Sequence, residues 1–214
     1  MHLHTMWSGD ATTTPEELIE AVAETALDVL CITDHGTTNG AVELADRLGC
    51  RVVVGQEVRT GVGEIIGLFL SQRIPSGLPP AEVCQVIREQ GGMVYVPHPF
   101  DPMRACLRED VLLALVDAGL VDAVEVLNAK TSLTHLNERA ASLAAEHGLA
   151  AGAGSDAHVP SAVGAAYVEM AEFDVADPEG FLAALRSSDA AVVGHHYDAP
   201  REWRPRIVPS TRAT

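Results

Sequence analysis

The sequence predicts an α/β fold assembled from βα units, and three observations carry that prediction. Short apolar runs bounded by polar or Gly residues alternate with segments of helical period along most of the 214 residues. Ala, Val, Leu and Gly are abundant while aromatics make up only 4%, which suits parallel strands buried under Ala-rich helices better than a β-sandwich. Residues able to bind metals recur where the apolar runs end, the place at which barrels and open α/β sheets carry their sites.

Strands are expected at 1–5, 28–33, 51–57, 64–70, 92–97, 121–127, 149–154 and 189–194, around a mainly parallel arrangement. Helices are expected at 15–26, 38–48, 80–90, 108–118, 132–147 and 178–187. The first helix has a complete start signal, with Thr14 as cap, Pro15 at the first helical position and Glu17 closing a capping box. Gly148 similarly ends the helix that begins near Ser132. Residues 71–80 (SQRIPSGLPP) read as a loop, and residues 198–214 as a Pro- and Arg-containing tail behind a single catalytic domain spanning 1–197.

The charge balance, 14 basic against 30 acidic residues for a formal −16, disfavours a long nucleic acid as partner and leaves small anionic substrates open. Cys31, Cys50, Cys84 and Cys106 lie far apart with no C-x-x-C pair and read as reduced thiols. No run approaches the ~18 apolar residues of a membrane span and no signal peptide is evident, so a cytoplasmic protein without a membrane partner is expected.

The chemistry is concentrated at the strand ends. His2 and His4 are spaced so that on a strand both imidazoles face one side and can reach one ion. Asp10 follows in the next loop, Asp34-His35 closes VLCIT, Glu57 closes RVVVGQ, Glu64 opens EIIGLFL, His98 follows MVYVP, and Asp156-x-His158 repeats the opening spacing after LAAGAG. Imidazole and carboxylate without thiolate suit Zn, Mn or Fe, and there are more donors than one tetrahedral ion can use. Two or three divalent ions are therefore expected. Asp34 is a candidate acceptor that fixes an imidazole tautomer. Arg104 and Lys130 stand where a basic side chain can clamp a substrate phosphate, and Asn128 where it can orient substrate or a ligand. His135, His147 and the His195-His196 pair read as helix-surface and tail residues, and Trp7 as packing.

H-L-H-T, T-D-H-G, G-Q-E, H-P-F and G-S-D-A-H together resemble the motifs of the polymerase and histidinol phosphatase (PHP) family over nearly the whole chain. The resemblance implies a distorted (β/α)7 barrel with up to three ions, bound by His2, His4, Asp10, His35, Glu57, His98, Asp156 and His158. It also implies a partition in which Glu57 bridges two ions, His2, His4 and Asp156 complete one, His98 and Glu64 the second, and Asp10, His35 and His158 the third. Family members often carry histidine where this chain has Glu64, which keeps a ligand but changes the charge. The activity implied is hydrolysis of a small phosphorylated substrate, a phosphomonoester, nucleotide or short oligonucleotide end, by water activated on the metals with Glu57, Asp156 and His158 at the reacting end. The alternatives are a metal-dependent amidohydrolase or ester hydrolase and a noncatalytic accessory module of the same fold.

Overall fold

A computed structural model describes residues 1–198 of the chain. The expected tail, apart from Asp198, lies outside those residues. Six strands form one curled sheet in the order β1 (Val29–Ile32), β2 (Arg51–Thr60), β3 (Gly63–Leu68), β4 (Met93–Val96), β5 (Ala123–Asn128) and β6 (Ala150–Gly154). β7 (Ala166–Glu169) and β8 (Ala191–Gly194) form a separate antiparallel pair. The helices are α1 (Pro15–Thr25), α2 (Asn39–Leu44), α3 (Pro80–Glu89), α4 (Glu109–Asp117), α5 (Thr134–His147) and α6 (Pro178–Leu185).

Local chemistry sets the helix ends. The Thr14 side chain accepts from the Glu17 N–H while the Glu17 carboxylate accepts from the Thr14 N–H, so two amides that the first turn cannot pair are satisfied reciprocally. α5 stops at Gly148, whose φ of 63° is a left-handed conformation that costs glycine little.

The arrangement is less uniformly parallel than expected. β1 pairs parallel with β2, and β4, β5 and β6 pair parallel in turn, but β2–β3 and β3–β4 are antiparallel. The reason lies in the connection. Only Gly61 and Val62 separate β2 from β3, enough for a hairpin and far too short for the crossover that a parallel pair requires. β7 falls in a stretch for which no strand is expected, and its partner β8 leaves the main sheet to pair with it. Residues 1–5 form no full strand. Leu3 alone makes a parallel bridge to Ala157, and its carbonyl accepts from the Thr33 N–H at 2.9 Å. That short segment thus lies between the ends of β1 and β6.

Side chains alternate between clusters as the strand period requires. Ile65 joins Val58, Val94 and Val96 beneath α3 and α4, whereas Ile66 joins Val53, Tyr95 and Phe181. Leu3, Leu30 and Ile32 pack with Leu18 and Val22 of α1, and Trp7 packs against the same group. All four cysteines are free thiols, Cys31 and Cys84 fully buried. Among the described residues no helix is long and apolar enough to cross a membrane.

Candidate metal centre

The strand ends deliver the polar residues to one place. His35 follows β1 and bridges to Glu57 of β2, Glu64 opens β3, His98 follows β4, Asn128 ends β5, and Asp156 and His158 follow β6. His2 and His4 flank the pinned Leu3, so alternation along this extended segment turns both rings the same way. Their Nε2 atoms come within 3.0 Å of each other.

Among the described residues four overlapping groups result: His2, His4 and Asp156; His2, Glu57 and His98; His35, Glu57 and Glu64; and His4, Asp10, His35 and His158. Within each group one donor atom per residue lies within 4.8 Å of all the others. Together the groups take in every residue named as a ligand from sequence. Glu57 is the hub. Its Oε2 lies 3.4 Å from His2 Nε2, 3.2 Å from His4 Nε2 and 3.3 Å from His35 Nδ1, and its Oε1 lies 3.1 Å from His98 Nε2.

The donor spacing can be tested against a metal. Ligand atoms about 2.1 Å from a tetrahedral ion are separated by roughly 3.4 Å. The contacts of His2 Nε2 and His4 Nε2 with each other, with Glu57 Oε2 and with Asp156 Oδ1 run from 3.0 to 3.8 Å. Asp10 Oδ1 and His35 Nδ1 are buried and make no hydrogen bond, as atoms meant for a cation would. The far nitrogens of two rings are also held, His2 Nδ1 by Glu125 at 3.2 Å and His4 Nδ1 by Ser8 Oγ at 2.9 Å, while His158 Nδ1 lies 2.9 Å from both the Asp156 carbonyl and Lys130 Nζ. Holding one nitrogen fixes the ring so that Nε2 faces the centre. The residues present fit divalent cations.

Proton affinities reflect the same crowding. Burial works to lower the His2 pKa, but the Glu125, Glu57 and Asp156 carboxylates overcome it and hold the ring well above the usual histidine range. His4 goes the other way, pushed well down by burial and by the neighbouring His158 and His35. Burial disfavours charge on Glu57, yet His2 and the hydrogen-bonding imidazoles keep its carboxyl well below the ordinary range. Glu64 is raised by burial and by Glu57. A cation satisfies donors that otherwise compete for protons.

Two of these residues occupy strained backbone. His98, at φ 28°, and Asp156, at φ 47°, are non-glycine residues in the left-handed region, a conformation that persists only where surroundings impose it. Asp156 is imposed on from several sides. Its N–H donates to the His2 carbonyl at 2.9 Å, and its own carbonyl accepts from the Tyr197 hydroxyl at 2.9 Å.

A cavity of about 360 Å³ opens over this cluster, lined by Asp10, His35, Glu57, Glu64, His98, Asp156 and His158 together with Arg59, Arg104, Lys130 and Tyr197. Lys130 Nζ reaches Asp156 Oδ1 at 3.4 Å and His158 Nδ1 at 2.9 Å, and burial lowers its pKa. Arg104 is anchored on the Lys130 carbonyl at 3.2 Å, with Nε 3.8 Å from Asp156. Asn128, by contrast, does not line this cavity. Its amide donates to Glu125 at 2.8 Å, and its oxygen accepts from the N–H groups of Lys130 and Thr131. Asp34 does not take the place foreseen for it beside an imidazole. It accepts from the Thr5 N–H at 2.6 Å and the Thr5 hydroxyl at 2.7 Å, and burial raises its pKa to about 6.

Sequence reasoning passed over Glu125, Ser8, Arg59 and Tyr197. Glu125 left a signal: a carboxylate inside the apolar run VDAVEVLN has to find partners when that strand is buried. Its partners are His2, the His98 N–H at 2.7 Å and Asn128. The fit there is tight, because a Cβ placed on Gly154 would lie 2.2 Å from Glu125 Oε1 and 2.4 Å from His2 Cβ.

Comparison with known proteins agrees with this picture. A family model described as PHP domain matches residues 1–75, and one described as PHP-associated matches residues 134–190. The uncharacterized protein MJ1587 of Methanocaldococcus jannaschii is 39% identical over 142 residues, covering 60% of this chain and 80% of that protein. Among solved structures, a two-domain protein of Bacteroides vulgatus containing a predicted PHP-like metal-dependent phosphoesterase superimposes with a TM-score of 0.69 at 20% identity. The match covers 91% of this chain but only 63% of that one. Endonuclease Q, solved with a 27-mer duplex bearing an abasic lesion, superimposes with a TM-score of 0.66 at 14% identity, covering 92% of this chain and 59% of that one. At such identities the two structures establish a shared fold. The family models and the archaeal relative establish more, and the chain belongs to the PHP family.

Proposed function

We propose that the protein is a metal-dependent phosphoesterase acting on a small phosphorylated molecule, a phosphomonoester, nucleotide or short oligonucleotide end. The reading takes residues 1–197 as one catalytic unit, a distorted seven-stranded barrel in which the segment around Leu3 supplies the missing strand between β1 and β6. Two or three divalent ions, zinc, manganese or iron, are taken to sit among His2, His4, Asp10, His35, Glu57, Glu64, His98, Asp156 and His158. When bound, such ions acidify water and neutralise charge developing on phosphoryl oxygens.

One observation carries the choice of phosphate: Arg104 and Lys130 face the cavity directly beside Asp156, in a chain whose formal charge is −16. Cations concentrated in an acidic protein at the mouth of a donor cluster suit an anionic substrate. The contacts of Lys130 with both Asp156 and His158 support reading it as a phosphate-binding amine beside the reacting end. Asn128 supports that arrangement from beneath, tying the Lys130 N–H to the Glu125 carboxylate. The cavity, at about 360 Å³, is near the small end of ligand sites, roughly 300–1,000 Å³. It suits one nucleotide-sized group better than a long strand.

The test is phosphate release from a panel of phosphomonoesters with added Mn²⁺, compared between the natural protein and Arg104→Ala. A charge-assisted hydrogen bond contributes about 1.5–3 kcal/mol, so KM for phosphate esters should rise on the order of 10- to 100-fold. Hydrolysis of uncharged acyl esters or amides that exceeds phosphate release, and ignores Arg104→Ala, would establish the amidohydrolase alternative instead.

A further inference from the structure

We propose that Arg59 is a positioning residue that makes a carboxylate workable at position 64, and this rests on the metal-binding reading given above. The β2–β3 hairpin sets Arg59 directly opposite Glu64. Across that register the Arg59 Nε donates to Glu64 Oε1 at 2.9 Å. The two side chains differ sharply in exposure, Arg59 at 61% and Glu64 at 5%. Arg59 therefore approaches from the solvent side, while the carboxylate faces inward with Oε1 3.6 Å from His35 Nδ1 and Oε2 3.9 Å from His98 Nε2.

The pairing answers a charge problem. Glu57 and Glu64 both converge on His35, so two carboxylates share one largely dry corner of the site. Like charges at that range repel, and the low effective dielectric of a buried corner strengthens the repulsion. A guanidinium stays charged at any working pH and offsets the surplus. Its single contact, through Nε, takes one lone pair of Oε1 and leaves the second for the side toward His35, while Oε2, toward His98, stays free of arginine hydrogen bonds. Arg59 thus aims Glu64 into the His35, Glu57 and Glu64 group without closing it. Histidine at position 64 would donate a neutral nitrogen and would not need the arginine.

The consequence is a dependence of one residue on the identity of the other. Mn²⁺ binding to the metal-stripped full-length protein would be measured by titration calorimetry for the natural chain, Arg59→Met, Glu64→His and the double variant, with thermal melting as a check on folding. Arg59→Met should weaken the affected Mn²⁺ class by roughly 10- to 100-fold, the usual cost of losing a partner behind a ligand. Arg59→Lys, which keeps the charge, should recover most of that loss. In the Glu64→His background the same Arg59→Met change should alter Mn²⁺ affinity by less than about 2-fold, because the carboxylate through which Arg59 acts is then absent, and this non-additivity is the coupling that the cycle measures. Equal losses in both backgrounds would show that Arg59 acts on the fold or on something other than Glu64. No loss in the natural background would overturn the proposal outright. If the natural protein itself takes up no Mn²⁺ or Zn²⁺, the metal-binding reading fails first; if it binds normally and the cycle shows no coupling, only the role of Arg59 falls.

Discussion

Glu57→Gln is expected to abolish phosphate release and to strip most of the bound metal while leaving the chain folded. Both Glu57 oxygens are engaged, Oε2 within 3.4 Å of three imidazole nitrogens and Oε1 at 3.1 Å from His98 Nε2. Among the described residues, no other carboxylate belongs to two of these groups. Glutamine keeps the volume and removes the charge. One of its two terminal atoms becomes a donor that points at nitrogens and cannot coordinate a cation. Metal affinity and turnover should each fall by at least about 100-fold, the upper end of what losing even an outer partner costs. Metal analysis of the purified variant beside its steady-state kinetics reads both. Turnover within a few-fold of the natural protein would remove Glu57 from the centre of the mechanism.

The second large effect is expected from a residue that does not line the cavity over the cluster. Glu125 is fully buried and accepts from three donors, the His2 ring, the His98 N–H and the Asn128 amide. A carboxylate is acceptor on both oxygens, whereas glutamine offers one oxygen and one NH₂, so in Glu125→Gln, with His2 Nε2 turned to the centre and Nδ1 therefore the donor, at least one of those donors faces another donor. Leaving a buried polar group unsatisfied costs about 1–3 kcal/mol. For a chain of this size that lowers the melting temperature by roughly 2–12 °C. Because the lost partner steadies His2, metal affinity should fall about 10- to 100-fold as well. Calorimetric melting with metal titration tests the pair of effects. A destabilised variant with unaltered metal affinity would mean that Glu125 serves the core alone.

The donors were legible before any fold because their spacing encodes geometry. His2 and His4, and Asp156 and His158, repeat the two-residue interval that keeps side chains on one face of extended chain, and each remaining ligand except Asp10, which lies in the loop after His4, sits at an end of an apolar run. Helix limits were legible for the same local reason, since Thr14 and Glu17 announce a start and Gly148 an end. What stayed hidden depends on contacts distant in sequence. The antiparallel course of β2 and β3 follows from the shortness of their link, and the Arg59–Glu64 pair becomes visible only once that register is known. Asp34 sits beside His35 in sequence but points at Thr5, because the segment bearing His4 runs alongside the end of β1. Tyr197 arrives from beyond β8 to cap the Asp156 carbonyl, a contact between residues 41 positions apart with no local pattern to announce it.

A phosphoesterase of this kind works only if these nitrogen and oxygen donors share cations, and the metal content of the protein measures that directly. Purified without chelator and analysed by plasma emission, each chain should carry two or three equivalents of zinc, manganese or iron in total. A chain that stays below a tenth of an equivalent even after incubation with each of those ions, while remaining folded, would contradict it.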